Sequence, residues 1–386
     1  MADHAAVAAD SSAADDGDDL RLLSVSWNQD SSCFTAATTA GFRVYSCAPF
    51  REELELRRRR ALLSGGAGGY AMAEMLFRSN IFALVPAGED GEHLVEIWDD
   101  LKKRRAHTYD HVAGIRSAVR AVRISREFVA VVLDRAVRVY CLHPLTRLVM
   151  KAETALNSRG LCCLSCHAGD ASVLACPGTA PGQVRVENLG KVAKVMEKEH
   201  AETRRLIIAA HSSELACMAM TVDGAVLATA SVKGTLVRVF STMDGACLQE
   251  VRRGRDPAEI HSIALSPDLQ WMAVCSDKGT LHVFSLRLGG GSKQYTAARP
   301  VVQANPASNT RSSLSFMKVI LPDYFSSEWS FAQFRLPETT RHIAAFGEKN
   351  TVMIIGMDGS FYRCSFDPVK GKEMVRMEYF RFLKDK

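Results

Sequence analysis

Two adjacent arginines, Arg252 and Arg253, lie between two runs of similar sequence. The earlier run reads Leu227–Ser231 (LATAS), Lys233-Gly-Thr235, then Val237–Phe240 (VRVF). The later reads Met272–Ser276 (MAVCS), Lys278-Gly-Thr280, then Leu281–Phe284 (LHVF). An arginine offers phosphate a planar fork of donors. Serine and threonine hydroxyls can meet sugar hydroxyls or the remaining oxygens. A histidine adds a donor that strengthens when it is protonated at lower pH. Neighbouring side chains of a strand point to opposite faces. The pair therefore cannot serve one pocket: Arg252 should meet the earlier run and Arg253 the later. The expectation is two similar anion sites flanking one short segment. The bland reading pairs the arginines with Glu250, Asp256 or Glu259 at the surface and leaves the hydroxyls and histidines to stabilise turns. Two parallel Ser…Gly-Thr…Arg/His sets around one arginine pair favour the anion reading.

The elements that must hold these residues recur along the chain. A strand ending in Val or Ile followed by an aromatic appears at Phe42–Tyr45, Val95–Trp98, Val137–Tyr140, Leu236–Phe240 and Leu281–Phe284. Weaker copies stand at Val184–Glu187 and Ser360–Arg363. The period is roughly 40–55 residues, that of four-stranded propeller blades. Apolar strands such as Phe128–Leu133 and Ile81–Val85 precede most copies, with turn signals such as Ser266-Pro-Asp268 between them. One blade cannot bury both faces of its sheet alone, whereas blades packed around a channel can. The fold class expected is all-β, a seven-bladed β-propeller of WD40-like kind, covering 20–386 as one domain.

Composition excludes several alternatives. The chain has 386 residues, 47% apolar and 24% charged, which is ample for a large core. A net charge of +5 does not mark a nucleic-acid binder, so any anion specificity must be local. The 11 scattered cysteines read as reduced and buried. Cys163, Cys166 and His167 lack a second spaced pair, so neither zinc nor any other metal or cofactor is expected. No stretch reaches the roughly 18 apolar residues of a membrane span, so membrane contact would be peripheral. Residues 1–19 read as a disordered acidic tail, and Arg57–Arg60 as a solvent-facing basic run with an affinity for anionic lipid. Gly65–Tyr70 lacks the Lys-Ser/Thr of a phosphate loop. No nucleophile elbow or metal-binding His-Glu pattern supports an enzyme.

After Phe284 the strand rhythm stops, and the next strand signal comes near Trp329. About 40 residues intervene, far beyond an ordinary connection. The first half is rich in Gly, Ser and Pro. The second, Arg311–Phe325, is apolar, and an apolar loop on a compact domain needs a reason.

At this point the residues resemble a known family. Ala210-His211, LATAS, Lys233-Gly-Thr235, Arg238-Val-Phe240 and Arg252-Arg-Gly254 are similar to the PROPPIN family, which includes the WIPI proteins. So is Phe325–Pro337, which looks like the family's return to regular strands after a long sixth-blade loop. The resemblance runs from about Leu23 to Phe382 and is strongest from Ala210 to Pro337. The family hallmark is Phe- or Leu-Arg-Arg-Gly; Val251 here keeps an apolar anchor.

The resemblance implies a seven-bladed propeller that binds phosphoinositides in autophagy. It implies a first site of His211, Thr229, Ser231, Thr235, Arg238 and Arg252, and a second of Arg253, Ser276, Thr280 and His282. The second is poorer in arginine and should bind less tightly alone. The sixth-blade loop, at about 286–327, would dip into the bilayer. Leu314, Met317 and Leu321 share a face if the segment turns helical, and Phe316 and Ile320 widen it, although Pro322 would interrupt a helix there. The ligands implied are phosphatidylinositol 3-phosphate and the 3,5-bisphosphate on preautophagosomal, endosomal or vacuolar membranes. The protein partners implied are autophagy proteins, including a lipid-transfer protein. The rival reading is a WD-like scaffold that binds only proteins.

Overall fold

The computed structural model describes residues 20–57, 68–89, 91–110, 115–143, 147–166, 172–190, 205–288, 309–311, 328–337 and 340–383. Their strands form seven sheets, each built on four antiparallel strands. Blades 1 to 4 occupy 22–57, 70–109, 119–153 and 163–209. Blade 5 is Leu215–Met220, Val226–Ser231, Leu236–Ser241 and Cys247–Arg252. Blade 6 is Ile260–Leu265, Trp271–Ser276, Thr280–Ser285 and, after the insertion, Ala332–Arg335. Blade 7 is His342–Phe346, Thr351–Gly356, Ser360–Ser365 and Val375–Arg381.

Every copy of the repeated motif lies on the third strand of its blade. That strand is covered on both faces, which is why its pattern is nearly continuous rather than alternating. In blade 3, Val137 and Val139 pack toward blade 4, while Tyr140 packs toward blade 2. The weak copy in blade 4 puts Glu187 where the aromatic belongs, and Arg185 donates to it at 2.6 Å.

Among the described residues the core is divided into seven apolar clusters, one for each interface between neighbouring blades. Blades 7 and 1 meet without exchanging a strand among the described residues. Phe34, Tyr45, Ile355, Phe361 and Phe382 close the ring instead, and the Tyr45 hydroxyl donates to the Phe382 carbonyl at 3.0 Å. Each such side chain contributes about 1.5–3 kcal/mol on burial, so packing can replace a shared sheet.

The insertion is not one open loop. Thr310–Arg311 pairs antiparallel with Glu328–Trp329, and Glu328 pairs in parallel with Val251 on the outer strand of blade 5. The sequence carried no strand signal at 310–311. The acidic tail, most of the basic run (58–60), His167 and the loop residues Leu314, Phe316, Met317, Ile320 and Leu321 lie outside the described residues.

Candidate functional site

Strand register decides which face each side chain takes. In blade 5, Thr229 stands opposite Arg238, Arg238 opposite Glu250, and Leu236 opposite Arg252. Leu227 and Phe240, on the same pleat face, pack with Ile208 and Ala210 of blade 4. Ala228, Val237 and Val251, on the other face, pack toward blade 6. Thr229, Ser231, Arg238 and Arg252 therefore share the face toward blade 4. His211 reaches them from the end of blade 4, with Nε2 2.9 Å from Thr229 Oγ1. Arg238 donates to the Ala210 carbonyl at 2.6 Å and to Glu250 at 2.7 Å.

The second set sits one interface further round. His282 stands opposite Val274, which with Met272 and Phe284 packs toward blade 5. Ser276, Thr280 and His282 share that face by pleat. Arg253 directly follows the outer strand of blade 5, with its N–H on the Thr235 carbonyl at 2.9 Å. Its buried guanidinium donates to the carbonyls of Gly234 at 3.0 Å and Asp256 at 2.5 Å. Arg253 is close enough to His282 for its charge to act on the imidazole. The two arginines thus take different interfaces, Arg252 the one toward blade 4 and Arg253 the one toward blade 6. The apolar anchor between their runs, Val251, is fully buried.

Both histidines are held neutral. Burial, and then the Arg238 charge, bring His211 down to about 4. Burial, and then Arg253, bring His282 down to about 4. The donor gained by protonation at mildly acid pH is therefore unavailable without an added anion, contrary to the sequence-based expectation. Burial is the dominant cause, and burial cannot be read from spacing. Arg253 is lowered by its own burial, against the nearby carboxylates of Asp277 and Asp256.

The two Gly-Thr units are not equivalent. In blade 6, Thr280 opens the third strand in pleat phase with His282. In blade 5 the strand starts at Leu236, so Leu236 takes the corresponding position and Thr235 falls in the turn. One extra residue before Arg238 makes the difference. Of the first set, the structure gathers His211, Thr229, Ser231, Arg238 and Arg252 on one face and leaves Thr235 off it.

A family model described as PROPPIN matches residues 21–382. The chain belongs to the PROPPIN family. It is 42% identical over 370 residues to Autophagy-related protein 18e of Arabidopsis thaliana, across 94% of this chain and 88% of that protein. It is 34% identical over 319 residues to SVP1-like protein 2 of Pichia angusta, across 82% and 81%. Kluyveromyces lactis Hsv2 superposes with a TM-score of 0.71 at 22% identity, across 94% of this chain and 99% of that one. A chain from the complex of KlAtg21 with the coiled coil of AgAtg16 gives 0.69 at 21% identity, across 94% and 99%. These structural likenesses bear on the fold. Family membership makes this an autophagy-related propeller of the phosphoinositide-binding kind.

Several residues of this PROPPIN's site escaped the sequence reading. Glu250 was weighed as a partner for the arginine pair, yet it pairs with Arg238 on the blade-4 face, where it opposes an incoming anion. Ser330, 3.2 Å from His282 Nδ1, and Gln333, which donates to Ser330, arrive from beyond the insertion. So does the knot at the base of the insertion. Asn309 accepts from the Ser285 N–H at 2.6 Å and donates to the Ser285 carbonyl at 2.8 Å and to Glu328 at 2.9 Å. Gln249, on the outer strand of blade 5, also donates to Glu328, at 2.9 Å. Both ends of 312–327 are thereby tied beside Val251 and Arg252. No signal in the sequence joins residues this far apart. Among the described residues no His, Cys, Asp and Glu group could hold a metal ion.

Proposed function

We propose that this PROPPIN is a phosphoinositide effector that binds phosphatidylinositol 3-phosphate and phosphatidylinositol 3,5-bisphosphate and recruits autophagy machinery for autophagosome formation. The observation that carries the reading is the divergence of Arg252 and Arg253. By strand register Arg252 faces blade 4 with Thr229, Ser231 and Arg238, whereas Arg253 lies close enough to His282 for its charge to act on that imidazole. Two weak head-group contacts on one rigid ring reinforce each other through effective concentration. The described residues that flank the apolar 312–327 segment pair beside Val251, which supports an inserted contact by that segment. No helix among the described residues is long and apolar enough to cross a membrane, in keeping with peripheral attachment at preautophagosomal, endosomal or vacuolar membranes. Its relative's name, Autophagy-related protein 18e, and the complex of KlAtg21 with an Atg16 coiled coil support autophagy proteins as partners. A lipid-transfer protein is the partner class the family resemblance implies.

Liposome flotation tests the reading. The parent should float with vesicles carrying either lipid, and the Arg252→Thr, Arg253→Thr double variant should not. A parent that ignores both lipids at physiological salt leaves the WD-like protein scaffold as the function.

A further inference from the structure

The outer strand of blade 6 is not the edge of its sheet. Lys372–Glu373, from the connection inside blade 7, pairs in parallel outside it, Ala332 with Lys372 and Gln333 with Glu373. Gln333 in turn stands opposite His282, and Arg335 opposite Thr280. Glu373 is therefore in register with His282 and two strand spacings outboard, roughly 10 Å. The connection is firmly built. Phe366 and Met374 at its ends are buried in the core between blades 6 and 7. Asp367 accepts from the N–H groups of Val369 at 2.8 Å and Lys370 at 3.0 Å, and its carbonyl accepts from Gly371 at 3.0 Å. Gly371 has φ 62°, and a Cβ there would run into the Phe331 carbonyl.

This pinned turn displays apolar side chains to water. Val369 is 82% exposed, and Val375 and Met377, on the outermost strand of blade 7, are 62% and 61% exposed. Lys370, Lys372 and Arg376 are exposed among them. An ordered loop that holds apolar groups in solvent gains nothing from folding them there, so their use lies in contact with something else.

We propose that this rim, 369–377, is a further membrane contact for an anionic bilayer. The proposal rests on the two-site reading of Arg252 and Arg253. Apolar tips interleaved with cations suit the boundary between head groups and acyl chains. A head group held at His282 brings the bilayer surface to the rim of blade 6, where this segment is the outermost layer of chain. The Asp367 carboxylate is spent on its own turn, and Glu378, further along the strand, on Arg363 at 2.8 Å. Glu373 remains beside three cations.

The test uses the full chain with a Val369→Ser, Val375→Ser, Met377→Ser variant and a Lys370→Glu, Lys372→Glu variant. Binding is measured to phosphatidylcholine vesicles carrying phosphatidylinositol 3-phosphate, with and without phosphatidylserine. Affinity for soluble inositol 1,3-bisphosphate and the melting temperature serve as controls on the head-group sites and the fold. Both variants should bind vesicles roughly tenfold more weakly, with both controls unchanged. The charge variant should lose the gain that phosphatidylserine gives the parent. A Val369→Trp variant should be quenched by brominated lipid on binding. Variants that bind vesicles like the parent, or a Trp that stays unquenched, overturn the rim contact while the two-site reading stands. A parent that binds no 3-phosphorylated vesicle overturns both. Unchanged vesicle binding with loss of a protein complex assigns the rim to a protein partner and overturns the proposal.

Discussion

The two neutral histidines should make the fold acid-sensitive between pH 6.5 and about 4. His211 and His282 are each brought from 6.5 to about 4 in the folded protein. Between those values the unfolded chain binds a proton at each position that the native site refuses. Stability contributed by the neutral forms is complete above 6.5 and is lost as pH falls toward 4. Lowering the pH to 5 spans roughly 1.5 units of that window, worth about 2 kcal/mol per histidine at 1.4 kcal/mol per unit. Partial solvent access at the rim screens this to about 1–2 kcal/mol each. Against a total stability of about 5–15 kcal/mol, the pair should shift the midpoint of urea unfolding visibly. The assay is urea denaturation at pH 7 and pH 5 for the parent and for a His211→Asn, His282→Asn variant. The parent should lose about 2–4 kcal/mol more than the variant over that interval. Equal losses would refute the reasoning, because His107 and His261, also lowered by burial, remain in both proteins. The same logic gives binding a sign. A phosphate beside His211 favours its protonated form, so head-group binding should take up protons and tighten as pH falls toward 4.

Two other outcomes are expected of the site. Glu250→Gln removes the carboxylate that competes for Arg238, and affinity for soluble inositol 1,3-bisphosphate, measured by calorimetry, should rise about two- to fivefold, the value of about 0.4–1 kcal/mol for an exposed pair. Asn309→Ala removes the polar link between Ser285 and Glu328 and should cost about 1–3 kcal/mol of local stability. Hydrogen exchange at the amides of 285 and 310–311 should accelerate, and vesicle binding should weaken while soluble head-group binding holds.

The period of the third strands was legible from the sequence alone. Val137, Val139 and Tyr140 must satisfy two neighbouring blades at once, and that demand is written within four residues. The facing of Arg252 was legible for the same reason, because alternation along a strand is a property of the chain next to itself, whereas Arg253 lies one residue past the strand's end and takes its place from the carbonyls of Gly234 and Asp256. That Thr235 precedes its strand while Thr280 opens its own was not legible, because a single extra residue in a turn shifts where the next strand begins, and a turn's length in space is set by its conformation. Tertiary structure alone decided the rest. Glu250 meets Arg238 because of cross-strand register, the insertion returns through Glu328 to the edge beside Val251, and Lys372 caps a blade to which it does not belong. The low pKa of both histidines is likewise a consequence of which blades cover them. A residue's facing is set by its neighbours in the chain, whereas its partners are set by closure of the ring, which brings together residues that no local pattern relates.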